Sequence, residues 1–104
     1  MPAKIKYYFD AEDFPQSFAD NGVDVEGLAD NICSLQCDIN LVPRKGEKVH
    51  IVVCGCWIEF VVRDVQYMLY DKRNTYCGPE FAGTAEVTVF LDFSSLMDGK
   101  LPML

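Results

Sequence analysis

Alternating apolar and polar residues predict five β-strands in this sequence. Ile5, Tyr7 and Phe9 alternate with residues of the opposite face, which is the two-residue period of a strand with one buried side. The same period appears most cleanly near the C-terminus, where Val87 and Val89 alternate with polar residues. The predicted strands are residues 4–9, a short extended run at 38–42, and residues 48–53, 57–70 and 84–93.

The predicted strand at residues 57–70 changes parity halfway along its length. Apolar residues occupy even positions up to Val62 and odd positions from Val65 onward. A strand that changed parity without an extra residue would turn the apolar side of one half away from the core. A β-bulge or a sharp bend is therefore expected at Arg63 and Asp64, and bends of this kind let small barrels turn corners.

One segment has the period of an α-helix instead. From Val25 onward, apolar residues recur at i, i+3, i+4, i+7 and i+10, ending at Leu35. Asp24 is the expected N-cap, while Gly27 in the first turn is expected to weaken the helix by up to about 1 kcal/mol. A short helical turn before it would pair Phe14 with Phe18.

Turns and chain length complete the predicted architecture. Gly55, between two cysteines, predicts a tight hairpin, whereas residues 71–83 carry turn residues without a period and predict a long loop. The 104 residues are enough for a single core and leave no room for two, so residues 1–104 are expected to form one domain. Five strands with one helix inserted after the first strand predict a mainly β (α+β) fold, a small antiparallel bent barrel of the SH3-like or OB-like type.

Charge, hydropathy and cysteine count limit which partners and which cellular environment are expected for this protein. The net charge is −7, and an acidic surface repels nucleic-acid backbones, so duplex nucleic acid is not an expected partner. No apolar stretch approaches the roughly 20 residues of a membrane helix, and the N-terminus lacks the apolar core of a signal peptide. Five cysteines, an odd number, fit reduced thiols in the cytoplasm better than a paired secreted framework.

The cysteines and the single histidine are the candidates for metal or redox chemistry. His50, Cys54 and Cys56 are the closest set, but their spacing is unlike the paired C-x2-4-C units of zinc sites. No cysteine pair has the C-x-x-C spacing of a redox-active dithiol. His50 is expected on the wet side of its strand, and neither it nor Glu59 with Asp64 forms a persuasive catalytic pair, so no catalytic residue, metal or cofactor is assigned.

Aromatic residues exceed what one core face requires. Outward apolar positions predict either a second sheet face covered by the helix or a surface that binds a partner, since Tyr and Trp concentrate in interface cores. The expected partner-binding residues are those on outward strand positions or in loops: Tyr8, Trp57, Tyr70, Tyr76 and Phe81.

The sequence therefore predicts a non-catalytic binding or assembly module. It would contact itself or another protein, as a homo-oligomer in the first case, through the aromatic sheet face or the loop at 71–83. A cysteine-based metal or thiol-redox protein is the first alternative. The second is an OB-like module for single-stranded nucleic acid, in which the turns bearing Arg44, Lys45, Lys48, Lys72 and Arg73 would have to meet at one end of the barrel.

Overall fold

The computed structural model describes residues 4–35, 42–73, 83 and 85–101. None of the helices in these residues is long and apolar enough to cross a membrane. In chain order the described elements are β1 (Lys4–Tyr8), a 3₁₀ turn (Ala11–Asp13), α1 (Gln16–Asp20), α2 (Val25–Cys33), β2 (Lys48–Val53), β3 (Cys56–Leu69) and β4 (Ala85–Leu96).

The four strands form one curled, mixed sheet that resembles half of a small barrel. Their order is β1-β4-β3-β2, with antiparallel pairing between β2 and β3 and between β3 and β4. β1 pairs with β4 in parallel, from Lys4 opposite Glu86 to Tyr8 opposite Phe90. The expectation of an all-antiparallel sheet was therefore wrong for β1, because a period of two residues is the same in both kinds of pairing.

The strand and helix counts also differ from the prediction. Four strands are described instead of five, and the fifth predicted strand, at 38–42, lies outside the described residues except for Val42, which is not in a strand. Two helices, rather than one, follow the first strand. The mainly β character and the barrel-like curl are as expected.

The core lies between the helices and one face of the sheet, called here the inner face. Ile58, Phe60 and Val62 of β3 are at most 1% exposed and belong to the same cluster as Leu28 and Ile32 of α2. The helices thus pack on the inner face. Of the two alternatives that the sequence left open for the second face, covering by the helix does not occur, since the apolar stripe of α2 packs in the same core as the inner face of the strands.

The predicted bulge in β3 is confirmed. Val62 is opposite Leu91 and Asp64 is opposite Phe90, so Arg63 is the extra residue. On either side of it, Val62 and Val65 both face inward, opposite Leu91 and Val89. The bulge thereby keeps both halves of a 14-residue strand on the same core.

The predicted short helical turn and the N-cap of the main helix are also confirmed, although α2 ends at Cys33 and not at Leu35. The ring of Phe14, two residues before α1, stacks on that of Phe18 within α1 with centroids 5.2 Å apart, and Gly22 follows this helix with φ of 81°. The side chain of Asp24 caps α2 by accepting a hydrogen bond of 3.1 Å from the backbone N–H of Gly27.

Gly27 has a specific reason to lack a side chain. A Cβ at this position would lie 2.5 Å from Oδ2 of the capping Asp24. We expect Gly27→Ala to give none of the roughly 1 kcal/mol that this change yields in ordinary helices, because it displaces a cap of about the same value. In an Asp24→Ala background the same substitution should stabilise the protein by about 1 kcal/mol. Urea unfolding of the four proteins measures both effects, and equal effects in the two backgrounds would contradict the coupling.

Candidate functional site on the outer face of the sheet

The sheet face opposite the core, called here the outer face, is not covered by any helix of the described residues. Tyr8 and Trp57 on this face are 43% and 42% exposed, and Val52 and Met68 are 74% and 58% exposed. An open face with large apolar side chains is unusual for a monomer and typically marks a contact surface. The outer face is therefore the candidate functional site.

The hairpin between β2 and β3 brings a histidine and a carboxylate together on this face. Cys54 and Gly55 have φ of 51° and 77°, as a two-residue type I′ turn requires. This turn pairs Val53 with Cys56 and, three residues further along, His50 with Glu59. His50 Nε2 and Glu59 Oε2 are 3.1 Å apart.

A second bulge, in β4, adds a hydroxyl to the same point. Glu59 is opposite Ser95 and Phe60 is opposite Phe93, so Ser94 is the extra residue. Its Oγ donates a hydrogen bond of 2.9 Å to Glu59 Oε1. Pairing resumes after this bulge, with Leu96 opposite Ile58, so β4 continues beyond the predicted end at residue 93.

Glu59 is the centre of this polar cluster, which consists of Lys48, His50, Trp57, Glu59 and Ser94. Its side chain faces outward, yet the residue is only 8% exposed, because its neighbours surround it. The Ser94 hydrogen bond, followed by the nearby Lys48 ammonium at 3.7 Å and His50, lowers the pKa of Glu59, although burial acts in the opposite direction. Glu59 is thus an anion at neutral pH. The stability it contributes is present above its unfolded-state pKa, near 4.5, and is lost as pH falls through the lowered folded-state pKa.

Trp57 completes the cluster on the side of His50 away from Glu59. Its indole Nε1 donates a hydrogen bond of 2.7 Å to His50 Nδ1. The two ring centroids are 5.5 Å apart. His50 therefore joins a buried carboxylate to an exposed aromatic ring.

The polar cluster has the residue types of a hydrolytic triad but not the required contacts. A nucleophilic serine needs its hydroxyl within hydrogen-bonding distance of a base. Here Ser94 donates to Glu59, and both nitrogens of His50 already contact Glu59 and Trp57. This arrangement orders side chains and does not activate a nucleophile.

A second aromatic group lies on the other half of the outer face. The rings of Tyr8 and Phe90 are 5.5 Å apart, and the guanidinium of Arg63 lies 5.9 Å from the centroid of Phe90. Arg63 also pairs with Asp92 at 3.5 Å. The side chain of the bulge residue, Arg63, thus contacts the outer face, while Val62 and Val65 on either side of it face the core.

No protein-family model, curated protein or solved structure matches this chain.

The structure places the predicted partner-binding residues in three different settings. Trp57 and Tyr8 lie on the outer face, as described above. Tyr70 follows β3 and is half-buried, with its hydroxyl 3.4 Å from Glu86. Tyr76 and Phe81, with most of the 71–83 loop, lie outside the described residues.

The structure does not bring the candidate metal ligands together. His50 is on the outer face, whereas Cys56 is on the inner face, 1% exposed, and Cys54 is in the turn between them. Burial, Asp98 and Cys54 raise the pKa of the Cys56 thiol to about 11, so this residue is not a thiolate at neutral pH. No group of three or more His, Cys, Asp or Glu side chains with metal-site geometry occurs in the described part of the chain.

The single-strand nucleic-acid hypothesis required the two basic turns to meet. In the structure they do not. The turn of Arg44 and Lys45 lies beside the middle of β3, because Gly46 N donates to Val62 O at 2.8 Å. Lys72 and Arg73 follow the end of β3 at Leu69, which is seven residues beyond Val62, or roughly 23 Å along an extended strand. The condition on which a joint anion site depended, that the two turns meet, is therefore not met in the described residues.

Sequence reasoning missed the buried Glu59 and its partner Ser94. The contact between His50 and Glu59 had a signal in the sequence, since a two-residue turn at Cys54 and Gly55 fixes the register of the hairpin. Ser94 had none, because its contact with Glu59 depends on a bulge in β4, a strand distant in sequence from β3.

Proposed function

We propose that this protein is a non-catalytic assembly module that binds a second copy of itself through the outer face of its sheet. The observation that carries this proposal is the uncovered outer face, with Tyr8, Val52 and Trp57 exposed beside a satisfied polar cluster. Apolar and aromatic side chains around ordered polar contacts are the composition of interface cores.

The distribution of charge favours a second copy as the partner. Residues 10–30 contain seven carboxylates and no lysine or arginine. In the described structure they form the helical layer that packs on the inner face, on the opposite side of the sheet from the outer face. On the outer face, Lys6, Lys48 and Arg63 are each paired with a carboxylate at 3.5–3.7 Å. Two copies joined by their outer faces would thus contact each other through a nearly neutral surface and keep their acidic layers apart.

The size of the face is adequate for such a contact. β3 has 14 residues, about 45 Å at 3.3 Å per residue, and the sheet is three strands wide at each end, about 14 Å. The outer face therefore offers on the order of 600 Å², the lower end of what each partner buries in a stable interface.

Val52→Lys tests this proposal. Val52 is 74% exposed, so the substitution should change the free energy of unfolding by less than about 1 kcal/mol. Within an interface, however, a lysine at this position should weaken association by at least about tenfold. Light scattering or sedimentation over a wide concentration range measures the mass. We expect a rise towards a dimer for the natural sequence and a shift of that rise to higher concentration for the variant.

Ala19→Lys is the matched control. Ala19 is exposed on α1, in the helical layer on the opposite side of the sheet from the outer face. Ala19→Lys adds the same charge to the molecule as Val52→Lys. It should leave association unchanged or strengthen it, because it reduces the overall repulsion. A strict monomer at all concentrations would refute self-assembly, and equal weakening by both variants would show that the outer face is not the interface.

A further inference from the structure

We propose that His50 is a pH-dependent latch that holds Trp57 when its ring is neutral and releases it to the outer face when protonated. The latch itself rests only on the polar cluster. Its consequence for binding rests on the proposed function of the outer face.

The hydrogen-bonding capacity of each group fixes the protonation state of the described cluster. An indole nitrogen can only donate, so His50 Nδ1, 2.7 Å from it, must be the bare, accepting nitrogen. The hydrogen of the neutral ring is then on Nε2, which donates to Glu59 Oε2 at 3.1 Å. Only the neutral Nε2–H form of His50 satisfies both contacts.

A proton taken from solvent adds to Nδ1 and makes both histidine nitrogens donors. The new Nδ1–H then points at the indole N–H, and this contact becomes repulsive. The contact with Glu59 becomes a charge-assisted hydrogen bond and strengthens. Protonation therefore breaks the bond to Trp57 and keeps the bond to Glu59.

The surroundings of the cluster determine which ring moves. Glu59 is held in place by Ser94 at 2.9 Å and by Lys48 at 3.7 Å, so His50 stays with it. The backbone of Trp57 is also held, since its N–H donates to Asp98 Oδ2 and its carbonyl accepts from Met97 N. Lys48, Glu59 and Asp98 are the charged groups that face His50 and Trp57 among the described residues. The indole side chain, 42% exposed, is what remains free to turn.

The composition of the chain makes this latch directly observable. It has one histidine and one tryptophan, so each gives a single, unambiguous signal. In NMR spectra recorded from about pH 8 to pH 5, the range in which histidine side chains ordinarily titrate, the indole N–H of Trp57 and the ring C–H groups of His50 should change together in one step. The indole N–H signal should move upfield as its hydrogen bond is lost.

Two variants separate the latch from a general effect of pH. In His50→Gln the indole N–H signal should not titrate. In Trp57→Phe, which keeps a ring but has no N–H, the neutral form of His50 loses a hydrogen bond and the histidine step should move to higher pH, by about two- to tenfold in proton concentration. An indole signal that ignores the protonation of His50, or a histidine step that is the same in Trp57→Phe, would overturn the proposal.

The regulatory consequence has its own measurement. Sedimentation of the natural sequence and of His50→Gln at pH 7.5 and at pH 5.5 should show a change in association that is larger in the natural sequence, since both proteins share every other titrating group. Equal changes in the two proteins would refute regulation by the latch. A monomer under all conditions would refute the proposed function while leaving the NMR result intact.

Discussion

Deleting Val61 is expected to abolish cooperative folding. If Phe60 stays opposite Phe93, the shortened β3 loses its bulge, and Arg63 takes the place of Val62 opposite Leu91. Val62 is 1% exposed, so the guanidinium would be buried without a partner, at a cost of about 3–5 kcal/mol or more. If Val62 instead stays opposite Leu91, the register of the preceding residues shifts by one and Phe60 turns out of the core. Either cost is large beside the roughly 5–15 kcal/mol that stabilises a typical domain, and urea unfolding followed by circular dichroism measures it.

Deleting Arg63, two residues further along, is the matched control. Without it, Asp64 follows Val62 directly and remains opposite Phe90, so β3 and β4 pair without interruption. The losses are the exposed ion pair with Asp92 at 3.5 Å, worth about 0–1 kcal/mol, and the local bend of the strand. A cooperative unfolding transition should persist. If this deletion were as disruptive as that of Val61, residue 63 would not be the extra residue of the bulge.

Phe60→Ala is expected to cost about 3–5 kcal/mol of the free energy of unfolding. Phe60 is fully buried, and its ring lies 5.0 Å from that of Phe9 and 6.4 Å from that of Phe93. Truncation removes these edge-to-face contacts and leaves a cavity where β1, β3 and β4 meet. Chemical denaturation of the variant and the natural sequence gives the difference directly.

Tyr67→Ala provides the comparison within the same strand. Tyr67 faces the same side of β3 as Phe60, through the bulge, but is 63% exposed. Its truncation should change the free energy of unfolding by no more than about 0.5 kcal/mol. A large loss at this position would show that this half of the inner face is packed more tightly than its exposure indicates.

The polar cluster gives one half of the outer face an ordered arrangement of side chains. Glu59, His50 and Trp57 are linked by contacts of 3.1 and 2.7 Å, so three side chains from two strands adopt one arrangement. A preorganised surface loses less side-chain entropy when it binds. This order, together with the exposed Val52 beside it, is the physical basis for the proposed self-association.

Local features of the fold were predictable because each depends on a few adjacent residues. The bulge at Arg63 follows from the change of parity between Val62 and Val65, and the cap at Asp24 from its position before an apolar helical stripe. The turn at Gly55 follows from the need for positive φ. Each of these sequence patterns lies within a segment of about ten residues.

The candidate site was predictable only in part. Tyr8 and Trp57 could be assigned to an outward face by parity alone, and the structure places both on the outer face. The contact of Ser94 with Glu59 could not, because it joins strands 35 residues apart through a bulge that has no pattern of its own.

By itself, the sequence determined the period of each strand, the bulge in β3, the cap of α2 and the acidic character of residues 10–30. Only the tertiary structure decided that β1 pairs with β4 in parallel, that the helices cover the inner face, and that Glu59 is buried on the outer one. The physical reason is distance along the chain. Periodicity records which side of an element avoids water, but not which distant element covers that side or in which register.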